Sequence, residues 1–159
     1  MNPRQLADLV DRHGPALVLY ARQWSAVPED IVQEAFLKLI RQGKMPPEPV
    51  AWLHRVVRNA AIDAARVEQR RLRRESAVVG RWFTDAALEG LDVAAAVAAL
   101  ADLPVEQREV IVARLWGGLS FEQIAELAGV AASTAHRRFA AGLAALRERL
   151  GLPQSLELE

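Results

Sequence analysis

The chain has 159 residues, carries 20 basic and 20 acidic side chains, and contains no cysteine. This composition excludes a disulfide framework and a thiolate zinc site, and His13, His54 and His136 are too scattered to suggest a metal cluster. No apolar run is long enough to span a bilayer and the first residues lack a secretory-signal pattern, so the sequence predicts a cytoplasmic protein without cofactors.

The charges are unevenly distributed, although they sum to zero. Residues 55–75 hold seven arginines against three acids, residues 84–106 carry only acidic charges, and residues 133–149 hold four arginines against one glutamate. Two basic segments separated by an acidic one are typical of a protein that contacts DNA at two places.

Apolar residues recur at helical spacing and strand-like alternation is nearly absent, which predicts an all-α fold. The first elements are expected to be two helices, Pro3–Asp11 and Pro15–Ser25, separated by the Gly14–Pro15 step. Their expected buried residues are Leu6, Leu9, Val10, Leu17, Val18, Ala21 and Trp24.

The next helix is predicted to start at Pro28 or Glu29, with acids in its first turn, and to end near Gln42. Its expected buried face holds Val32, Ala35, Phe36, Leu39 and Ile40. The opposite stripe holds Asp30, Glu34, Leu37 and Arg41, with Gln33 on its flank. The apolar Leu37 is unusual among these polar residues. The stripe is compatible with a solvated surface carrying one stray leucine, and equally with a docking surface for a partner.

After a proline-rich loop, a longer helix is predicted to begin at Val50 or Ala51 and to reach Arg66 or even pass Arg74. Its expected core face holds Leu53, Val56, Val57, Ala60 and Ala64. The opposite stripe holds Arg55, Arg58, Asn59, Ile62, Arg66 and Gln69. A solvated face usually mixes acids with bases, and this one has almost no acid. It therefore favours a nucleic-acid surface over a merely solvated one, because arginine suits phosphates and asparagine can address bases.

Residues 75–93 have weak periodicity and predict an acidic linker with some helical turns, in which Trp82 and Phe83 are expected to pack against another part of the chain. A helix is predicted from Asp92 to just before Pro104, and another from Val105 to Trp116. The expected buried residues of the latter are Val110, Ile111 and Leu115.

The following segment has the features of a helix-turn-helix unit. Ser120 and Gln123 form a capping box, with Leu119 and Ile124 at the spacing of a hydrophobic staple. Gly129 supplies the tight turn between the two helices. The residues expected to face inward are Phe121, Ile124, Ala125 and Ala128 on the first helix, and Ala135, Phe139, Leu143, Leu146 and Leu150 on the second.

The second helix of this unit directs several polar side chains away from its expected core. These candidates for DNA contact are Ser133, Thr134, His136, Arg137 and Arg138. Arginine can pair with guanine, and the others suit phosphates or bases. The alternative is a helical hairpin whose basic face only keeps it soluble. Because Ala131 stands where a capping residue is expected, Ser133 or Thr134 could instead cap a later helix start, away from DNA.

The order of these parts resembles a known family. The chain contains, in sequence, a stripe ending in VQEAFLKL, then AWLHRVVRNAAIDAAR, an acidic tether, LPVEQREVIVARLWGGLSFEQIAELAGV and a basic last helix. From about Leu6 to Leu150 this order resembles the bacterial RNA polymerase sigma factors of the extracytoplasmic-function class. The resemblance implies a region 2-like domain at 1–75, a linker at 76–98, a region 4-like domain at 99–152 and a tail at 153–159.

The resemblance also implies roles for the exposed faces. The family's equivalent of the helix at 30–41 docks on the clamp coiled coil of the largest polymerase subunit, which implicates Asp30, Gln33, Glu34 and Leu37. The next helix and its preceding loop open the −10 element, which implicates Lys44, Met45, Arg55, Arg58, Asn59, Ile62 and Arg66. The last helix would contact the −35 element through Ser133, Thr134, His136, Arg137 and Arg138. Asp63 matches an acid that is usual in the family and is expected to be structural.

Some positions depart from the family pattern. The family commonly has Gly, Thr, a branched aliphatic residue and Lys where this chain has Ser133, Thr134, Ala135 and His136, and it commonly has Pro where Ala131 stands. The loop lacks the aromatic residue usual before the Ala-Trp pair, with Pro49 and Val50 in its place. These changes fall on specificity positions, so they bear on the promoter sequence rather than on the function.

The sequence therefore predicts a sigma factor that binds core polymerase, with the flap region as a further contact, and directs initiation through −10 and −35 elements. The resemblance also implies an anti-sigma partner that covers both domains. The alternative is a stand-alone helix-turn-helix regulator, which would have no use for the stripe around Leu37. An enzyme is disfavoured because neither a nucleophile–base constellation nor a phosphate-binding glycine loop is present.

Overall fold

The computed structural model describes residues 1–72 and 98–151. Every regular element within them is a helix, which confirms the predicted all-α fold of two small helical domains. The chain divides into an amino-terminal unit, Met1–Trp82, and a carboxyl-terminal unit, Phe83–Glu159. None of the described helices is long and apolar enough to cross a membrane. The predicted linker other than Ala98, with Trp82 and Phe83, and the tail at 153–159 lie outside the described residues, so the domain boundaries stay a prediction.

Helix α1 runs without interruption over Pro3–Ala21, so the predicted break at Gly14–Pro15 is wrong. A proline inside a helix costs about 3 kcal/mol. Gly14 reduces the strain because it has no Cβ to meet the proline ring. Leu17 and Tyr20 on the following turns are fully buried, and each large apolar side chain contributes about 1.5–3 kcal/mol when buried. The free energy gained from tertiary packing therefore offsets the cost of a proline inside the helix.

The amino-terminal end of α1 is capped by Asn2, which was not predicted from the sequence. The Asn2 side chain accepts a hydrogen bond from the backbone N–H of Arg4 at 2.9 Å, and Gln5 completes a capping box. Val10, expected in the core, is 41% exposed because it lies beside an open groove. Burial increases toward the carboxyl end of the helix.

Helices α2, Pro28–Gln42, and α3, Pro49–Leu72, pack against α1 and against each other. The expected bounds of α2 are confirmed, and Gly43 ends it in the left-handed region with φ 71°. Ile40, expected in the core, is 45% exposed, and Ile31 is buried instead, so the buried face of α2 is rotated toward Ile31. Helix α3 begins at Pro49, just before the predicted start, since proline suits a first helical position.

The carboxyl-terminal unit contains α4, Val105–Leu115, α5, Phe121–Ala128, and α6, Ala132–Leu150. The residues just before α4, 98–101, are also helical. The described core cluster consists of Ala99, Leu100, Leu103, Ile111 and Leu146. Leu115, expected to be inward, is 40% exposed, whereas Val112 and Ala113 are fully buried.

Helices α4 and α6 approach each other closely at Gly142, which is buried. A Cβ at this position would lie 2.6 Å from Cδ1 of Ile111 and 3.2 Å from Cβ of Gln107. Glycine therefore permits this close approach, since a Cβ would overlap the Ile111 side chain unless that side chain shifted. The orientation of α6, which carries the candidate DNA contacts, depends on this contact.

Candidate functional site

The docking stripe, defined as Asp30, Gln33, Glu34 and Leu37, lies exposed along one face of α2. Leu37 is 37% exposed, as the helical wheel predicted. Glu34 forms an ion pair with Arg41 at 3.0 Å, and both side chains are largely in solvent. Such a surface pair contributes about 0–1 kcal/mol, so it leaves the stripe available for a partner.

Leu37 also lines a groove between α1 and α2. The groove has a volume of about 430 Å³. Its apolar lining includes Val10, Pro15, Val18, Val32, Phe36 and Leu37, while Glu29 and Gln33 add polar groups. The groove could not be inferred from α2 alone, since half of its wall belongs to another helix. Two members of the docking stripe, Gln33 and Leu37, thus lie beside an apolar recess.

The basic face of α3 holds Arg55, Arg58, Asn59, Ile62 and Arg66. Arg55, Asn59 and Arg66 are exposed, and Arg58 and Ile62 are half-buried. In the preceding loop Lys44 is exposed and Met45 is half-buried. Asp63, expected to be structural, is an exposed residue whose carboxylate lies 3.9 Å from the Arg66 guanidinium. The described part of the helix therefore presents cations and one amide on a single face.

Arg58 differs from the other cations because its guanidinium is held over an aromatic ring. Its Cζ lies 5.8 Å from the ring centroid of Trp24. Trp24 in turn packs edge-on against Tyr20, at 5.1 Å between centroids. Cation–π pairing of this kind restricts the arginine, so Arg58 is presented from a defined position. The only sign of this pair in the sequence is Trp24 itself, which lies in the turn after α1 and is separated from the basic face along the chain by α2.

His54 is a polar residue in the core of this unit, because it is fully buried on α3. Its Nδ1–H donates to the carbonyl of Val50 at 2.8 Å, and its ring lies 5.1 Å from that of Tyr20. Nε2 has no hydrogen-bond partner among the described residues. Burial lowers the pKa of His54 to about 4, although the bond to Val50 opposes the shift. His54 is thus a neutral core residue.

The helix-turn-helix framework of the carboxyl-terminal unit is confirmed. The Ser120 Oγ accepts from the N–H of Gln123 at 3.1 Å, and the Gln123 Oε1 accepts from the N–H of Ser120 at 3.0 Å. Leu119 and Ile124 are buried at the staple positions. Gly129 ends α5 in the left-handed region with φ 68°. These local contacts fix the start and the end of α5, and hence where α6 begins.

Helix α6 starts directly after Ala131, which is its N-cap and makes no side-chain capping bond. A later start capped by Ser133 or Thr134 is therefore wrong, and both side chains stay in the first turn. The recognition face is defined as Ser133, Thr134, His136, Arg137 and Arg138. Ser133, His136 and Arg137 are exposed, and Thr134 and Arg138 are half-buried. The five candidates thus lie together on the first two turns.

Phe121, the first residue of α5, is surrounded by aromatic and cationic groups from both neighbouring helices. Its ring centroid lies 4.8 Å from that of His136 and 5.4 Å from that of Phe139. The Arg114 guanidinium lies 4.7 Å from the centroid of the same ring. Sequence spacing within one helix cannot reveal such a cluster, since its members come from α4, α5 and α6.

Comparison with known proteins agrees with this arrangement. Residues 9–71 match the Sigma-70 region 2 family model, and residues 94–146 match the Sigma-70 region 4 model. The chain is 33% identical to the RNA polymerase sigma factor CarQ of Myxococcus xanthus, over 96% of this chain and 91% of CarQ. It is 35% identical to the ECF RNA polymerase sigma factor SigM of Mycobacterium tuberculosis, over 90% of this chain and 76% of SigM.

Solved structures show the same fold. The sigma factor RpoE of Bartonella quintana, crystallised with the anti-sigma factor NepR, has a TM-score of 0.78 at 24% identity and covers 95% of this chain and 99% of its own. CnrH, solved with the cytosolic domain of CnrY, has a TM-score of 0.58 at 25% identity, over 94% and 90% of the two chains.

A match to region 2 beside region 4 does not favour the stand-alone helix-turn-helix regulator, which would need only the second. The two family models together cover most of the chain, and the identity to CarQ extends over nearly the whole of both proteins. The chain therefore belongs to the extracytoplasmic-function class of RNA polymerase sigma factors, which bind core polymerase and direct transcription initiation at promoters.

Proposed function

We propose that the docking stripe on α2 is where this sigma factor binds core polymerase, on the clamp coiled coil of the largest subunit. The observation that carries the proposal is the position of Leu37, an exposed leucine among charged residues at the edge of an apolar groove. Protein interfaces commonly have an apolar centre surrounded by a polar rim, and an exposed leucine beside an apolar recess with polar neighbours has this arrangement. Asp30, Gln33 and Glu34 would supply the polar contacts around it. The flap region is proposed as a second polymerase contact, made by the carboxyl-terminal unit.

Promoter contact is assigned to the other two faces. The basic face of α3, with Lys44 and Met45 of the preceding loop, would hold the −10 element. The recognition face of α6 would occupy the −35 element. Exposed arginines on one helix face suit phosphates and guanine edges, and asparagine suits adenine. The support is the exposure of these groups on defined helices, together with the order of the two sigma regions along the chain.

This function requires no catalytic reaction by the chain itself, because sigma factors are non-enzymatic initiation factors. We further propose that it works in the cytoplasm, where core polymerase and promoter DNA are found. An anti-sigma partner is also proposed, since two structural relatives were solved with such proteins or with the cytosolic domain of a partner. The test is to purify the tagged chain from its native host. A protein that co-purifies with the chain, and is released when transcription is induced, would support the proposal.

The experiment that tests the proposed function is run-off transcription with purified core polymerase, followed by mapping of the start sites. Binding to core is measured in parallel by fluorescence anisotropy of the labelled chain. Leu37→Ala removes the anchor and is expected to weaken core binding about tenfold, the cost of about 1–2 kcal/mol typical of an interface anchor. Run-off product at limiting sigma factor should fall with it.

The matched control is Val67→Ala, which shortens another exposed aliphatic side chain on a different helix. It should leave core binding unchanged. Equal losses for the two variants would contradict the assignment of the docking stripe. A wild-type chain that neither binds core polymerase nor supports specific run-off would contradict the proposed function itself.

A further inference from the structure

The cluster around Phe121 joins the three helices of the carboxyl-terminal unit at the edge of the recognition face. Phe121 is half-buried at the first position of α5, with the rings of His136 and Phe139, both on α6, next to it. His136 is exposed on its outer side. One side chain of the recognition face is therefore in contact with an aromatic residue that belongs to a different helix.

Phe121 is itself held in place by its other neighbours. The ring of Phe139 meets it at 5.4 Å and 70°, the edge-to-face arrangement that aromatic pairs favour. Arg114 lies over the ring at 4.7 Å, and its guanidinium also donates to the carbonyl of Leu119 at 3.0 Å. The arginine is thus fixed to the backbone, and the phenylalanine is fixed between the arginine and the core.

A fixed Phe121 restricts His136. The imidazole lies 4.8 Å from the phenyl ring with 53° between the planes, so the contact favours one orientation of an otherwise exposed side chain. Pairing of this kind is expected to favour the paired orientation by up to about tenfold. The ring nitrogens of histidine can donate to or accept from base edges, and a base contact needs a defined direction.

We propose that Phe121 is a positioning residue for promoter specificity, which orients the His136 imidazole toward a base edge of the −35 element without touching DNA itself. The inference rests on the proposed function, since it requires the recognition face to occupy that element. It assigns a role in promoter specificity to a residue on the first helix of the helix-turn-helix. That residue acts through its contact with His136 and does not itself contact DNA.

The test uses the full-length chain assembled with core polymerase and a pool of promoter duplexes. The pool is built on a promoter found by start-site mapping, with its −35 element randomised, and the bound fraction is sequenced. His136→Ala identifies the base pair that the imidazole governs. Phe121→Leu keeps apolar bulk and removes the ring. It should reduce the preference at that same base pair by a similar factor, with no further reduction in the double variant.

Two further variants separate positioning from folding. Phe121→Tyr retains the ring and should retain the preference. Leu146→Val shortens a buried core side chain of α6 that is not a member of the Phe121 cluster, so it should lower total binding and leave the base preference unchanged. A purely structural role for Phe121 would give the Leu146→Val pattern instead.

The inference is overturned if Phe121→Leu lowers total binding with an unchanged base profile, or if His136→Ala changes no base preference while the wild-type profile is normal. A wild-type holoenzyme that selects no −35 sequence would overturn the proposed function and this inference together. The wild-type profile therefore distinguishes the two failures.

Discussion

Gly142 provides the sharpest test of the packing that orients α6. A Cβ added there would lie 2.6 Å from Cδ1 of Ile111, and the contact to Cγ1 of the same side chain would be 3.4 Å. Ile111 is fully buried, so its end has little freedom to move away. Gly142→Ala therefore creates one severe overlap, with Cδ1 of Ile111, and a tight contact of 3.2 Å with Cβ of Gln107.

The size of the effect follows from two opposing contributions. Overpacking a well-packed core costs about 1–3 kcal/mol. Alanine in place of glycine inside a helix stabilises by about 1 kcal/mol. The free energy of unfolding should therefore fall by about 1 kcal/mol in Gly142→Ala. Ile111→Val removes Cδ1 and by itself costs about 0.5–1.5 kcal/mol. In that background Gly142→Ala should cost clearly less than in the wild type, since the overlapping atom is gone and only the 3.2 Å contact with Cβ of Gln107 and the contact with Cγ1 of residue 111 remain.

The assay is urea unfolding of the full-length chain, followed by the fluorescence of Trp116, with the other three tryptophans replaced by phenylalanine. Trp116 packs against the core cluster of the carboxyl-terminal unit and reports on it. Ala144→Gly, at an exposed position of the same helix, measures the helix propensity separately. If Gly142→Ala destabilises the Ile111→Val background as much as the wild type, the overlap is not the cause and the reasoning is refuted.

Two other predictions concern stability. The folded protein keeps His54 neutral with a pKa of about 4, whereas an unfolded histidine binds a proton below about pH 6.5, so stability should be lost as the pH falls from about 6.5 toward 4. Between pH 7 and pH 5 the free energy of unfolding should fall by about 2 kcal/mol because of His54. In urea unfolding of His54→Phe this part of the fall should be absent, and a pH dependence equal to that of the wild type would contradict the assignment. Ala131→Ser should raise the free energy of unfolding by about 0.5–1 kcal/mol by supplying the missing N-cap. Ala131→Asp should stabilise similarly but weaken binding to promoter duplex, because it places a negative charge beside phosphates; equal DNA affinity of the two variants would argue against a DNA-facing start of α6.

The elements with strong local signals were predicted correctly. The bounds of α2 follow from acids after a proline and from a clear apolar face, and α5 follows from the Ser120 capping box and Gly129. These signals operate within a few residues, so a single segment contains them. The exposed position of Leu37 followed from the same helical wheel.

The wrong predictions have a common physical origin in contacts between helices. The break at Pro15 was inferred from local propensity, which the burial of Leu17 and Tyr20 overrides. Ile40 and Leu115 were expected to be buried, but both are exposed, because the neighbouring helix decides how far each apolar face is covered. For the same reason the groove beside Leu37 could not be predicted from one helix.

The candidate site residues remain predictions as to what they bind, but their exposure was largely foreseen. Charge and amphipathicity decide which side of a helix faces solvent, and both can be read from sequence. The supports of these residues could not be foreseen, because they come from other parts of the chain: Trp24, under Arg58, lies in the turn after α1, and Phe121, beside His136, lies on α5. The sequence therefore predicts the outer side chains better than the groups that orient them.

Pro15 also has a consequence for local opening of α1. Because it has no N–H, the carbonyl of Asp11 lacks its usual helical donor, and the turns before it bury few side chains. Amides of residues 5–12 should then exchange with solvent through fraying, at a much lower free energy than those of residues 17–21, which are held by the core. One wall of the groove beside Leu37 belongs to the region around this weak point. Because Val10, Gly14 and Pro15 line this wall, we expect fraying of α1 to widen the groove without unfolding of the core, and so to let the groove adjust to a bound partner.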